Sequence, residues 1–372
     1  MPGSKFCSHC ICADKKDMKK GGIIGCGTKF ALIFLLLTAF LLASQNGVAE
    51  TLLAGPKIIE TLTETAELNW PFPIPVAESA LQTVQARQWF KLPNKGHVLE
   101  GAIFDEYGNL IFCDSSNKKV MRLSPDSNLT TVFEMDDLWP TGLALHNGRL
   151  YIAAISLATG EKASGQVLSV LPDGSDAQIV IPLDAGFAPD DLLFDRHGGF
   201  YFTDFKGTAT DPTGGLYYVS PEGAKITPVL KNISKANGLA LSPDGKVLWL
   251  TEFANNRLHR LELADSTTLA PNGSTVPYHF IGAAPDSVRT DIKGNVYVAM
   301  NKQGRVLIFN PAGVPIGQIL IPGRENGQYL KSTSLAIAPD RNQCLILSGD
   351  GDMGDNIAIF SAPTFAAGVK SF

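Results

Sequence analysis

Cysteine is scarce where a folded domain could use it. The chain holds 6 cysteines, and Cys7, Cys10, Cys12 and Cys26 all precede an apolar run from Phe30 to Ala43. Only Cys113 and Cys344 remain for the body of the protein; an oxidising compartment would allow them to pair, but sequence cannot place them within bonding distance, and two solitary buried thiols are expected. The Cys7-x-x-Cys10 pair with His9 lacks the second ligand pair that a zinc site requires. Charge is also sparse, at 18% of residues with a net of −5, and no basic patch is interleaved with aromatics, which argues against a nucleic-acid surface. No segment shows the spacing of a convincing amphipathic helix. The five histidines after residue 49 fall at unrelated positions, and no Ser-His-Asp arrangement is evident, which disfavours a covalent acyl-enzyme.

What the N-terminus has is an order of features. Lys15, Lys16, Lys19, Lys20 and Lys29 precede the apolar run, and Gly47-Val48-Ala49 follows as a small-residue cleavage site. Basic, apolar, small is the order of a secretory signal, and the run is short for a transmembrane helix. Residues 1–49 are therefore expected to be a signal or signal-anchor segment, with Met18 as an alternative initiator. The protein is expected to be exported, periplasmic or extracellular, with membrane contact only if that segment stays uncleaved. Residues 50–82 read as a linker.

From residue 83 to 372 the chain repeats. A small or acidic polar residue precedes a hydrophobic β-run at Glu100, Thr141, Asp190, Asn237, Asp286 and Thr333, at spacings of 41, 49, 47, 49 and 47. A period in that range marks a β-propeller, one four-stranded blade per repeat. Glycine-containing turns follow the first strand, as in Asp105-Glu106-Tyr107-Gly108-Asn109 and Asp195-Arg196-His197-Gly198-Gly199. The expected fold is an all-β, six-bladed propeller in one domain. The sixth blade lacks a strong fourth strand after Ile357–Phe360, and the run from Thr83 to Leu92 is expected to supply it, hiding the sheet edges.

Equivalent repeats put their first residues in a ring at one level of the central channel. Glu100, Asp190, Asn237 and Asp286 carry carboxylate or amide oxygens, and no ring position holds His or Cys. Calcium suits such ligands, whereas zinc favours His and Cys; other divalent cations stay open. Taken singly, Asn237-Gly238 is a hairpin turn, Asp190-Asp191 a solvated loop pair and Glu100 an exposed charge. Their shared register in four blades favours a site. Asp105, Asp195 and Asp291 are assigned to turns, Asp114, Asp204 and Glu252 to hydrogen bonds between blades, and His97 to an ordinary loop.

Several stretches resemble the SMP-30/gluconolactonase family of six-bladed propellers. They include Asp190-Asp191-Leu192-Leu193-Phe194-Asp195, Gly198 to Phe205, Ala236 to Ser242, Pro285-Asp286-Ser287 and Pro315 to Arg324. The resemblance covers most of the chain from about residue 95. It implies a calcium-dependent lactonase acting on small cyclic esters. By matching motif, Glu100, Asp190, Asn237 and Asp286 correspond to ligands of the catalytic metal, with Ser287 beside it, and Asp286 to the acid that transfers a proton. The resemblance also implies a second, structural calcium on the loop before the third blade. That loop is shorter here, with Ser164 and Asp184 as its candidates. Two alternatives are hydrolysis of a phosphotriester or fluorophosphate, and a non-catalytic propeller whose calcium rigidifies the channel.

Overall fold

The computed structural model describes residues 73–93, 96–156, 163–223, 225–351 and 354–370, all within one compact unit, Asn69–Phe372. The expected signal segment, its cysteines and most of the expected linker lie outside the described residues. Six sheets account for the described strands. Their innermost strands are Leu99–Phe104, Trp139–His146, Pro189–Phe194, Ala236–Leu241, Pro285–Thr290 and Lys331–Ile337. Each innermost strand packs on the next, and the sixth packs on the first, so the blades close into a ring. The fold is the six-bladed propeller expected from the repeat period. Among the described residues the only helical pieces are three short 3₁₀ turns, and none is long and apolar enough to cross a membrane.

Why this sequence makes blades is visible in the core. Among the described residues the apolar side chains divide into six clusters, and each is built from two adjacent blades. Leu99, Leu110 and Phe112 of the first blade pack with Leu345, Leu347 and Ile359 of the sixth. Tyr201 and Leu216 of the third pack with Leu239 and Leu250 of the fourth. Each sheet is thus buried on both faces, which is why its middle strands are continuous apolar runs rather than alternations. Phe200–Asp204, Val296–Met300 and Arg305–Phe309 are buried at every position. Each fully buried Val, Leu, Ile or Phe contributes about 1.5–3 kcal/mol relative to exposure.

The closure differs from expectation in one respect. The run from Thr83 to Leu92 is not one strand. Gln82–Gln85 runs parallel to Pro315–Leu320 as a fifth strand of the fifth blade, whereas Arg87–Lys91 pairs antiparallel with Ile357–Pro363 and completes the sixth. Ala86 is the crossing point: it is 3% exposed and its N–H donates to Leu320 O at 2.9 Å. Passing between two packed blades requires a small residue there, and alanine supplies it. Cys113 and Cys344 are free and buried, as expected.

The N-terminal turn Val76–Glu78 is fastened by charge. Arg305 Nη1 lies 2.6 Å from Glu78 Oε2, with both side chains 1% exposed. Arg305 also donates to Gln303 and Gln318, and Tyr278 donates to Glu78. Removing one partner of a buried pair strands the other charge at a cost of about 3–5 kcal/mol. Arg305→Met should therefore lower stability in urea denaturation by that amount, and Glu78→Gln in the same background should recover part of it. Equal losses in single and double variants would show that the pair is not coupled.

Candidate functional site at the channel mouth

Each ring residue sits at an irregularity of its strand. The pairing of innermost and second strands shifts register between Glu100 and Ile103, Pro140 and Gly142, Pro189 and Leu192, Ala236 and Leu239, Pro285 and Val288, and Ser332 and Ser334. A bulge re-aims the side chains beside it. Repetition of the bulge in all six blades turns six side chains out of the pleat at one level.

The residue after the ring position sets how closely the strands approach. A Cβ on Gly142 would lie 2.4 Å from Asp190 O, and one on Gly238 would lie 2.6 Å from Ser287 Cα. Asn237-Gly238 is thus not a hairpin turn; its glycine admits the backbone of the next blade. Two of the positions that are not glycine, Asp191 and Ser334, carry a stitch. Ser334 Oγ accepts from Ala102 N at 3.1 Å, and Asp191 Oδ2 accepts from Leu239 N at 3.2 Å. The two ring threonines also stitch: Thr333 Oγ1 donates to Leu99 O, and Thr141 Oγ1 to Pro189 O at 3.4 Å. Those carbonyls immediately precede Glu100 and Asp190. The two ring threonines hold the backbone beside Glu100 and Asp190.

The acids face one another. Burial raises the Glu100 carboxyl well above its usual range, and the charges of Asp286, Asp190 and Asp191 add to the rise, against Arg289. Asp190 is raised for the same reasons, burial first and then Asp286 and Asp191. Burial pushes Asp286 up to about 7; hydrogen bonds with Asn301 and Asn237 pull it down, and the charge of Asp191 adds to the rise. Asp286, Ser287 and Asn237 are buried, while Glu100 and Asp190 are half-buried. Asn301 Nδ2 donates to Asp286 Oδ2 at 2.8 Å, and Thr251 Oγ1 donates to Asp286 O at 2.6 Å. Beneath them Asp191 binds Arg289 Nη1 at 2.9 Å, an ion pair from the third blade to the fifth.

The donors fit a hard divalent cation: all are oxygens, three on carboxyls that repel one another. Asn301 Oδ1, on the side chain that holds Asp286, is buried without a partner. Among the described residues no group of three or more His, Cys, Asp or Glu side chains forms a metal site. The ring's donor set also counts an amide, Asn237. Asp184 is exposed on the turn Leu183–Ala185, and Ser164 is part-buried at the head of a neighbouring strand. That turn and that strand are in contact, with residues 157–162 outside the described set.

The other acids behave as turn and frame residues. Asp105 Oδ1 accepts from Tyr107 N and Asn109 N, Asp195 Oδ1 from His197 N and Gly199 N, and Asp291 Oδ1 from Lys293 N and Asn295 N. Asp114, Asp204 and Glu252 do not run between blades as expected. They bind His97, Ala188 N and Ser234 N, each in the segment entering the acid's own blade. Sequence reading missed Asn301, Arg289 and Thr251 as parts of the site. Arg289 left a signal, a lone cation in an otherwise buried innermost strand.

A propeller of this topology has counterparts among known proteins. Residues 98–336 match the SMP-30/gluconolactonase/LRE-like region, and the chain belongs to that family. It is 42% identical over 319 residues to lactonase drp35 of Staphylococcus aureus, covering 84% of this chain and 97% of that protein. The lactonase drp35 of Staphylococcus haemolyticus is 42% identical over 318 residues, with the same coverage of 84% and 97%. Among solved structures, the calcium-binding protein regucalcin of Agrobacterium tumefaciens superposes with a TM-score of 0.63 at 18% identity, covering 78% of this chain and 97% of that one. A gluconolactonase from Xanthomonas campestris gives 0.59 at 19% identity, covering 79% and 94%. These two likenesses show the fold alone.

A carboxyl with a raised pKa stabilises the fold while protonated. The contribution is fully present below about pH 4, the unfolded value. It is lost as pH rises through about 7 for Asp286. Protein in chelator should therefore lose stability over that window on this account. Asp286→Asn should reduce the loss and raise the thermal midpoint in chelator at pH 8. Calorimetry at pH 5 and pH 8 checks this; an unchanged difference between the two would mean that Asp286 is not under strain.

Proposed function

We propose that the protein is a calcium-dependent lactonase, hydrolysing cyclic esters by attack of water. The observation that carries the reading is the ring itself: burial raises the carboxyls of Glu100, Asp190 and Asp286, the charge of Asp286 adds to the rise at Glu100 and Asp190, and Asn237 holds Asp286. Glu100, Asp190, Asn237 and Asp286 would hold the cation, with Ser287 beside it. The family, and the names of its lactonase and gluconolactonase members, support the substrate class. The calcium-binding neighbour supports the ion.

When bound, a divalent cation polarises the ester carbonyl. The protein's own part is positioning and proton transfer. The Asp286 carboxylate accepts a proton from water as the new C–O bond forms at the carbonyl carbon. It returns that proton to the ring oxygen as the ring C–O bond breaks, giving a hydroxy acid. Asn301 and Asn237 fix the carboxylate by hydrogen bonds, and Thr251 fixes its backbone. Ser164 and Asp184 are the proposed site of a second, structural ion.

Glu100→Gln and Asp190→Asn each remove a ligand charge, so calorimetric titration of chelated protein should show weaker calcium binding in both. Undiminished affinity in the two variants would remove the ring as the site. Turnover is the second test. The purified protein should hydrolyse simple aromatic or aliphatic lactones and lose that activity in chelator. Asp286→Asn, assayed at saturating calcium, should stay about 10²–10⁴-fold slower, since Asn keeps an oxygen but cannot transfer a proton. Wild-type turnover restored by calcium alone would make Asp286 a ligand only.

A further inference from the structure

His97 and Asp114 form a pair that the ring does not use. His97 lies just before the first blade's innermost strand, and Asp114 ends the strand beside it. Nδ1 is 2.6 Å from Asp114 Oδ2. Asn117 Nδ2 donates to both Asp114 oxygens, at 3.0 and 3.1 Å, and stands 2.9 Å from Nδ1. His97 is 8% exposed and Asp114 3%. A carboxylate only accepts, so the short contact assigns a proton to Nδ1, and in the neutral imidazole Nε2 is then the acceptor. That Nε2 is buried and has no partner. An unpaired buried polar atom destabilises the fold, and an apolar side chain would fill the space without that penalty.

His97 lines a small cavity between the first and sixth blades, together with Leu99, Lys331, Thr333, Ser348 and Gly351. The space open to the centre of a water-sized sphere is about 10 Å³, room for about one oxygen atom. Thr333 is the sixth ring residue and Leu99 immediately precedes Glu100, so the cavity adjoins the ring on the same face. Two hydroxyls on its wall are already engaged: Thr333 Oγ1 donates to Leu99 O, and Ser348 Oγ donates to Tyr329 O at 2.6 Å. The charged group on the wall is Lys331, whose Nζ stands against Gly351. An acceptor and an ammonium together select for one kind of guest. A carboxylate would meet the lone pair of Nε2, and an ammonium would meet Lys331. A hydroxyl donates to one and accepts from the other.

We propose that this cavity is a hydroxyl subsite beside the ring, in which His97 Nε2, oriented by Asp114, accepts a hydrogen bond from a substrate hydroxyl or a fixed water. The subsite makes His97 a specificity-determining residue for the proposed lactonase reaction, on which this inference rests. His97→Leu keeps the bulk and removes the acceptor. His97→Gln keeps a polar group at similar reach. Asp114→Asn donates to Nδ1, moves the proton to Nε2 and removes the acceptor with the ring still in place.

The experiment compares kcat/KM on γ-butyrolactone and on the same lactone with a hydroxyl on the carbon beside the carbonyl. A substrate hydroxyl in the subsite gives wild type a preference of about tenfold for the hydroxylated lactone, the worth of one hydrogen bond. His97→Leu and Asp114→Asn then lose that preference by slowing the hydroxylated substrate alone. A fixed water gives no preference, but both variants slow the two lactones equally and His97→Gln recovers the rate. Unchanged rates on both lactones in His97→Leu, or equal losses that His97→Gln does not recover, overturn the subsite and leave the lactonase reading standing. Wild type inert on every lactone overturns the lactonase reading and the subsite with it.

Discussion

Everything at the channel mouth follows from how closely six strands approach one axis. The innermost strands touch their neighbours all the way round. Gly142 and Gly238 lie where a Cβ would enter the next strand's backbone. Such packing leaves little space for side chains inside the ring, so those that point there must be few, polar and held. The shared register shift provides the aim, and Thr141, Thr333, Ser334 and Asp191 provide the hold. A six-fold repeat therefore yields a site whose members come from residues far apart in sequence but equivalent in the blade.

Three acids brought together under burial are unstable as carboxylates without a cation, and their raised pKa values express that directly. The surrounding frame partly offsets the repulsion. Arg289 lowers Glu100 across the channel, Lys235 lowers Asp190, and Asn301 and Asn237 lower Asp286. None of these partners neutralises the ring in full. The strain is the kind found where a protein is built to take up charge, and it distinguishes the ring from Asp105, Asp195 and Asp291, whose Oδ1 atoms are taken by their own turns.

The repeat period and the turn residues carried the fold, because blade length and turn chemistry are local properties of sequence. The ring was legible for the same reason: equivalent positions in equivalent blades occupy equivalent places. What was not legible depends on contacts between residues with no common period. Ala86 divides one β-run between two blades, and nothing in Thr83 to Leu92 alone announces that. Asn237-Gly238 reads as a turn until the neighbouring strand explains the glycine. Asp114, Asp204 and Glu252 carry the right residue types for hydrogen bonding, but their partners lie in the loop entering the same blade. Periodicity says where a side chain sits, and it does not say what faces it.

The N-terminal strands connect the ring's closure to its chemistry. The sixth blade is complete only with Arg87–Lys91, and that blade supplies Thr333 and Ser334. Those two residues hold Leu99 O and Ala102 N on either side of Glu100. Upstream, Gln82–Gln85 and the Glu78–Arg305 pair anchor the same segment to the fifth blade, which carries Asp286 and Asn301. One short stretch of chain thus bridges the two blades on which Asp286 and the backbone around Glu100 depend. Loosening it at the outer rim would be felt at the axis, through the sixth blade's innermost strand, before any ring residue was altered.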